Sequence, residues 1–288
     1  MVDVQNEKDE RAVPLQKVGV KGVEYPITVL DRANGTQVTT GTANLFVNLP
    51  HHFKGTHMSR FIEVFHAYHG DLSMRRFLAM LEEIRVNLEA ERAFGRLSFP
   101  FFIEKEAPVS HQKGMMRYDC AYEGAAWGPG GKLAKDSVVD TKTTTELLDQ
   151  KASKGHSFFI TVKVPVTTLC PCSKAISDYG AHNQRGIVTV KVCYSSFFWI
   201  EDLVTLIEKS ASAPVYSVLK RQDEKFVTEL AYNNPRFVED LVREVYLGLK
   251  KFPLQKPFKW FSVEAENFES IHNHSAYAYT EYEETSDK

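Results

Sequence analysis

Two of the four cysteines in this 288-residue chain stand one residue apart, at the end of a β-branched run, in "TTLCPCSKAISDYGAHNQRG" (167–186). Side chains two apart on an extended backbone face the same side. An extended Cys170-Pro171-Cys172 would therefore aim both sulfurs one way, with Pro171 stiffening the backbone between them. Thiolate and imidazole together suit a divalent metal. Cys170, Cys172 and His182 could converge if "SKAISDYGA" loops back, and Gly180 would ease that turn. The same residues could also belong to a structural zinc knuckle, or simply pack, since buried thiols are common. A knuckle wants four closed ligands, and no second Cys pair exists. Cys120 and Cys193 stand alone inside apolar strands and read as core.

Other candidates are weaker by spacing. "ESIHNHSAY" supplies His272 and His274, two apart and preceded by Glu269. "KRQDEKFVTE" carries Glu224 and Glu229 but has no periodic signal, and reads as a solvated loop. Glu239 lies within an apolar-striped helix and is expected on its exposed side. "GTHMSRF" puts His57 and Arg60 near a helix start, where anions bind favourably.

The elements that must position these residues alternate regularly. "VEYPITVLD" and "TTGTANLFVNLP" read as strands around the turn "RANGTQ". "THMSRFIEVFHAYHG" and "DLSMRRFLAMLEEIRVNLEAERAF" read as helices, the second with Phe77, Met80, Leu81, Ile84 and Leu88 at helical spacing. "RLSFPFFIEK" and "GMMRYDCAYEG" follow as strands, then the glycine-rich turn or loop "EGAAWGPGGK". The second half repeats the order. "HSFFITVKVPVTTL" and "GIVTVKVCYS" are strands, and "WIEDLVTLIEKSASA" is a helix. In "NNPRFVEDLVREVYLGLKKF", Asn234 is expected to cap and Pro235 to open a helix. Its stripe is Phe237, Val238, Leu241, Val242, Val245, Tyr246 and Leu249. "FKWFSVEAENFE" and "SAYAYTEYEE" close as strands. Strand, strand, helix, helix, strand, strand, twice over, implies an α+β fold: antiparallel sheets with helices packed on one face. The expected divisions are a polar arm over 1–20, a first unit over 21–140 and a second over 141–288.

Apolar residues make up 43% and charged residues 25%, an ordinary globular balance, and the formal net charge is -2. Nothing global favours nucleic acid or an anionic membrane. No apolar run is long enough for a transmembrane helix, and the polar start has no signal-peptide apolar region. Four cysteines in a chain this long do not make a disulfide framework, so a reducing cytoplasm is expected.

Four stretches, "TTLCPCSKAISDYGAHNQRG", "LKRQDEKFVTELAYNNPRFVEDLVR", "GTHMSRF" and "ENFESIHNHSAYA", together resemble GTP cyclohydrolase I of the prokaryotic IB type, in order from about residue 20. The resemblance implies tandem tunnelling-fold (T-fold) units. It also implies a homotetramer with active sites at subunit interfaces. The implied reaction takes GTP and water to 7,8-dihydroneopterin triphosphate and formate, the entry to folate and related pterins. Attack at C8 of an aromatic purine needs a strong nucleophile at neutral pH, which a divalent metal can raise from water. By motif, Cys170, His182 and Glu224 match metal-site positions for manganese, iron or zinc. Cys172 matches a second thiol serving as proton shuttle near C8. Cys170, Cys172, His272 and His274 are the implied catalytic group. Glu239 matches a carboxylate taking the guanine N1–H and 2-amino donors, and His57, Arg60 and Lys174 are further implied substrate contacts. Two other readings stay open: the T-fold nitrile reductase of queuosine synthesis, which needs NADPH and one nucleophilic thiol, and a non-enzymatic metal-binding module.

Overall fold

The computed structural model describes residues 5, 9–128, 155–194 and 196–284. Residues 129–132 of the expected glycine-rich turn, and the expected boundary at 140/141, lie outside them; residues 123–127 are strand. The first half runs β1 (Leu15–Asp31), β2 (Gly35–Leu49), α1 (Met58–Tyr68), α2 (Met74–Asn87), β3 (Arg92–Glu106) and β4 (Lys113–Trp127). This is the expected order, although β1 begins inside the segment expected as an arm. The second half runs β5 (Gly155–Leu169), α3 (Pro171–Ile176), β6 (Asn183–Cys193), α4 (Ile200–Ser210), β7 (Ala213–Pro214), α5 (Arg221–Asn233), α6 (Val238–Lys250), β8 (Trp260–Asn267) and β9 (Ala276–Glu283). The α+β class stands as expected, and α3, β7 and α5 are additions to the order read from the sequence.

The chain divides into two compact units, one taking the described residues of 1–99 and 121–159, the other those of 100–120 and 160–288. In the first unit, β1 and β2 form an antiparallel hairpin closed at Asp31 and Gly35, and β2 pairs β3 with Phe46 opposite Phe94. Asp31 fixes the turn by accepting from the Asn34 backbone at 2.8 Å and from Gln37 Nε2 at 2.7 Å. Helix α2 buries Phe77, Met80, Leu81 and Ile84, the expected stripe; Leu88 is only its half-buried cap. Gly95 lets that helix approach closely: a Cβ there would stand 2.6 Å from the Leu81 Cδ2 methyl, which would have to shift. The opposite face of these strands carries its own cluster of Phe94, Ala125 and Trp127 with Phe46.

In the second unit, β6 pairs β8 and β8 pairs β9, all antiparallel, while β7 pairs β5. Helix α6 packs on β8 and β9 through buried Val238, Leu241, Val242, Val245 and Leu249. A part-buried ion pair braces the segment after β7. Lys105 Nζ donates to Glu208 Oε1 at 2.7 Å and to the Val215 carbonyl at 2.8 Å, and the Tyr118 hydroxyl donates to the same Glu208 oxygen at 3.0 Å.

Two expectations about helices are corrected. "KRQDEKFVTE" is not a solvated loop but the start of α5, which buries only Asp223 and Ala231 and so lacks the broad apolar stripe that would have announced it. Asn234 does not cap α6 but closes α5, donating its side-chain amide to the Ala211 carbonyl at 2.8 Å. A residue preceding proline is disfavoured in the helical region, so Asn234 ends one helix rather than beginning the next. Helix α6 starts at Val238, where Asp240 accepts from the Phe237 backbone N–H at 3.2 Å.

Candidate active site

The site is built at the end of β5. Cys170 leaves the strand extended and forms the N-cap of α3, with Pro171 at its first position. Proline is pre-organised for that place and lacks only an N–H that no helix would use there. The Cys-Pro-Cys segment is therefore not extended, and its two sulfurs do not share a strand face. Cys170 is half-buried, with its sulfur accepting from the Ser173 backbone N–H at 3.4 Å, while Cys172 is exposed on α3.

The return of the chain is as expected. Gly180 adopts φ +139°, a region open to glycine. The Cys170 backbone N–H then donates to the His182 carbonyl at 3.1 Å. Ser173 ties the two ends, its hydroxyl donating to the Cys170 carbonyl at 3.2 Å and accepting from the His182 backbone N–H at 3.2 Å. Cys170 and His182 thus flank the neck of one loop. The His182 side chain is largely buried, with Nδ1 at 3.1 Å from Gln184 Oε1 and 4.0 Å from Glu269 Oε2. Gln184 was not among the sequence candidates, and Glu269 was noted only as a neighbour of the histidine pair. Strand alternation from His182 could have found the first; the second arrives from the loop after β8, with no local signal.

Helix α5 packs beside this neck, where Leu169, Ala213 and Ala231 form a small core joined by Ala181 and Val227. Glu224 is exposed, one turn before Val227 and on the same helix face as Val227 and Ala231. Its neighbour Asp223 is fully buried and anchors the helix start. It accepts from the backbone N–H groups of Val109, Ser110 and Lys220, each at 2.8 Å, and from the Ser110 hydroxyl at 2.5 Å. Burial alone would raise the Asp223 carboxyl, but the hydrogen bonds from Ser110, Lys220 and Val109 outweigh it and hold the group well below the usual carboxylate range. Among the described residues, no three His, Cys, Asp or Glu side chains gather closely enough to hold a metal ion.

The remaining candidates are spread more widely. His272 and His274 are exposed, and their rings stack on each other at 5.0 Å and 15°. Lys174 donates to the Tyr232 carbonyl and sits over the Tyr232 ring at 4.3 Å, so α3 is pinned to the end of α5. Glu239 is exposed at the second position of α6. It borders a groove of about 500 Å³ between that helix and β9, with Arg243, Tyr246 and Tyr279 also in the wall. In the first unit, His57 is the N-cap of α1, and Arg60 Nη1 donates to the Asn87 carbonyl at the end of α2, at 2.8 Å. Both line a small polar pocket with Asn48 and Thr56.

A family model described as type I GTP cyclohydrolase folE2 matches residues 1–146 and 131–278. The chain is 52% identical to "GTP cyclohydrolase FolE2" of Syntrophus aciditrophicus, over 98% of this chain and 100% of that one.

The chain belongs to the FolE2, or type IB, GTP cyclohydrolase family.

Its FolE2 relatives in Syntrophobacter fumaroxidans and Geobacter sulfurreducens are 49% and 50% identical, each over 96% of this chain and over 98% and 96% of their own lengths. Among solved structures, urate oxidase from Bacillus subtilis 168 aligns over 93% of this chain and 98% of that one, with a TM-score of 0.46 and 8% identity. The motifs that carry the resemblance fall on the Cys170–His182 loop, helices α5 and α6, the loop after β8 and the start of α1.

Proposed function

We propose that the chain converts GTP and water to 7,8-dihydroneopterin triphosphate and formate, the first step of tetrahydrofolate and pterin biosynthesis. The observation that carries this reading is the FolE2 identity of 52% across nearly the whole chain. Two tandem T-fold units, over about 21–140 and 141–288, would make up each subunit of a cytoplasmic homotetramer with sites between subunits.

The donor chemistry at the loop neck fits a divalent ion such as manganese, iron or zinc. Cys170 and His182 lie at adjacent backbone positions across the neck, and Glu224 sits on the helix face turned toward that region. In this reading those three hold the ion, and the mix of sulfur, nitrogen and oxygen donors suits several metals. Such an ion, when bound, makes water nucleophilic at neutral pH.

The other residues act on the substrate. Glu239 accepts the guanine N1–H and 2-amino donors, a pair of parallel bonds suited to a carboxylate. Cys172, exposed at the start of α3, moves a proton near C8, and His272 and His274 serve as further acid–base groups. Lys174, His57 and Arg60 carry positive or donor groups suited to the triphosphate.

Incubation with GTP in the absence of NADPH, with and without a chelator, tests the reading through pterin fluorescence after oxidation. Chelator-sensitive fluorescence is expected. Its absence with every metal would reject the reading, and activity only on a deazaguanine nitrile with NADPH would point to the nitrile reductase instead.

A further inference from the structure

His182 immediately precedes β6 and Gln184 lies two residues on, so strand alternation sets both side chains on one face. His182 Nδ1 stands 3.1 Å from Gln184 Oε1. Gln184 is 7% exposed, and its Nε2 donates at 2.9 Å to the hydroxyl of Thr168, which is fully buried. With its amide nitrogen committed to Thr168, Gln184 offers the imidazole only its carbonyl oxygen. The second polar group near Nδ1 is the Glu269 carboxylate, at 4.0 Å, and an ionised carboxylate accepts but does not donate. A neutral imidazole has one N–H. The Gln184 oxygen, the acceptor at hydrogen-bond distance, draws that proton to Nδ1 and leaves the lone pair on Nε2; the Glu269 carboxylate, too far for a hydrogen bond, favours the same arrangement only through its charge.

We propose that Gln184 is a positioning residue: through Thr168 it holds His182 as the Nδ1–H tautomer, in one ring orientation, so that Nε2 is the nitrogen presented to a divalent metal. The inference rests on reading His182 as a metal ligand. A histidine whose second nitrogen is held by an acceptor binds metal more tightly, because tautomer and ring direction are settled before binding.

The test is zinc affinity of the metal-free, full-length protein, measured by competition with a chromophoric chelator. Gln184→Ala should weaken zinc binding about ten- to a hundredfold. Gln184→Glu keeps an acceptor facing Nδ1 and lets the Thr168 hydroxyl donate instead, so it should stay within about threefold of wild type. Equal losses in both variants would overturn the proposal, since they would mean packing or the opposite amide orientation. Wild-type affinity in Gln184→Ala, with His182→Ala impaired, would overturn it as well. If Gln184→Ala does not fold, Gln184→Glu alone decides: affinity near wild type upholds the acceptor role, and a tenfold or greater loss rejects it. Undiminished zinc affinity in His182→Ala would instead reject the ligand reading itself, and this proposal with it.

Discussion

Cys170 and His182 close the neck of one loop, the backbone N–H of the first donating to the carbonyl of the second at 3.1 Å. Cys172, two residues from Cys170, stands apart from that neck on the exposed side of α3. The proline between the thiols separates their surroundings by starting a helix, and different surroundings allow different tasks.

The two thiols should therefore fail differently. Cys170→Ala is expected to lower both metal content and turnover, since it removes a proposed ligand. Cys172→Ala should retain more of the metal while losing most turnover. Metal analysis beside GTP turnover for both variants separates these outcomes, and normal turnover in Cys172→Ala would end its catalytic assignment.

Thiol accessibility should follow the same division. Burial pushes the Cys193 thiol up to about 11 and the fully buried Cys120 thiol higher still. At pH 8 a thiol with pKa near 11 is about one part in a thousand thiolate, and the thiolate is the reactive form. Maleimide labelling of native protein, followed by peptide mass spectrometry, should find Cys172 modified well before Cys120 or Cys193. The Cys193 rate should keep climbing as pH rises toward 11.

Glu239 is exposed beside the α6–β9 groove, which leaves its carboxylate open to a ligand. Glu239→Gln preserves shape but replaces one acceptor oxygen by a donor, so one guanine N–H loses its partner. The expected cost is about 1.5–3 kcal/mol in kcat/KM, roughly ten- to more than a hundredfold. Metal content should be unchanged. A variant with wild-type kcat/KM would return Glu239 to a purely solvated role.

Glu208 carries the stability of the segment that leads into α5. Glu208→Ala would leave the Lys105 ammonium with the Val215 carbonyl and the Tyr216 ring, and would remove the acceptor of the Tyr118 hydroxyl. Removing one half of a part-buried, hydrogen-bonded ion pair costs about 1.5–3 kcal/mol, less than for a fully buried pair because solvent screens it. Thermal unfolding should show a clear drop for Glu208→Ala and a smaller one for Glu208→Gln, whose amide oxygen still accepts. Equal melting temperatures for wild type and Glu208→Ala would show that the pair adds no net stability.

The sequence by itself determined the α+β class and most elements, because long amphipathic stripes such as Phe77-Met80-Leu81-Ile84 and Leu241-Val242-Val245-Leu249 can be buried in only one way. It also determined the return of the chain at Gly180 and, through four motifs in order, the family. Helix α5 was not legible, because its stability comes from a buried carboxylate taking hydrogen bonds from Val109 and Ser110, far away in the chain. Local charge there looked like a solvated loop. Side-chain alternation predicts an extended Cys170-Pro171-Cys172, but Pro171 takes a helix's first position once Cys170 caps it. Only the tertiary structure decided that Glu269 lies near His182 and that Gln184 is locked by Thr168. Those relations depend on which strand end meets which loop, and hydrogen bonds between residues remote in sequence leave no periodic trace along the chain.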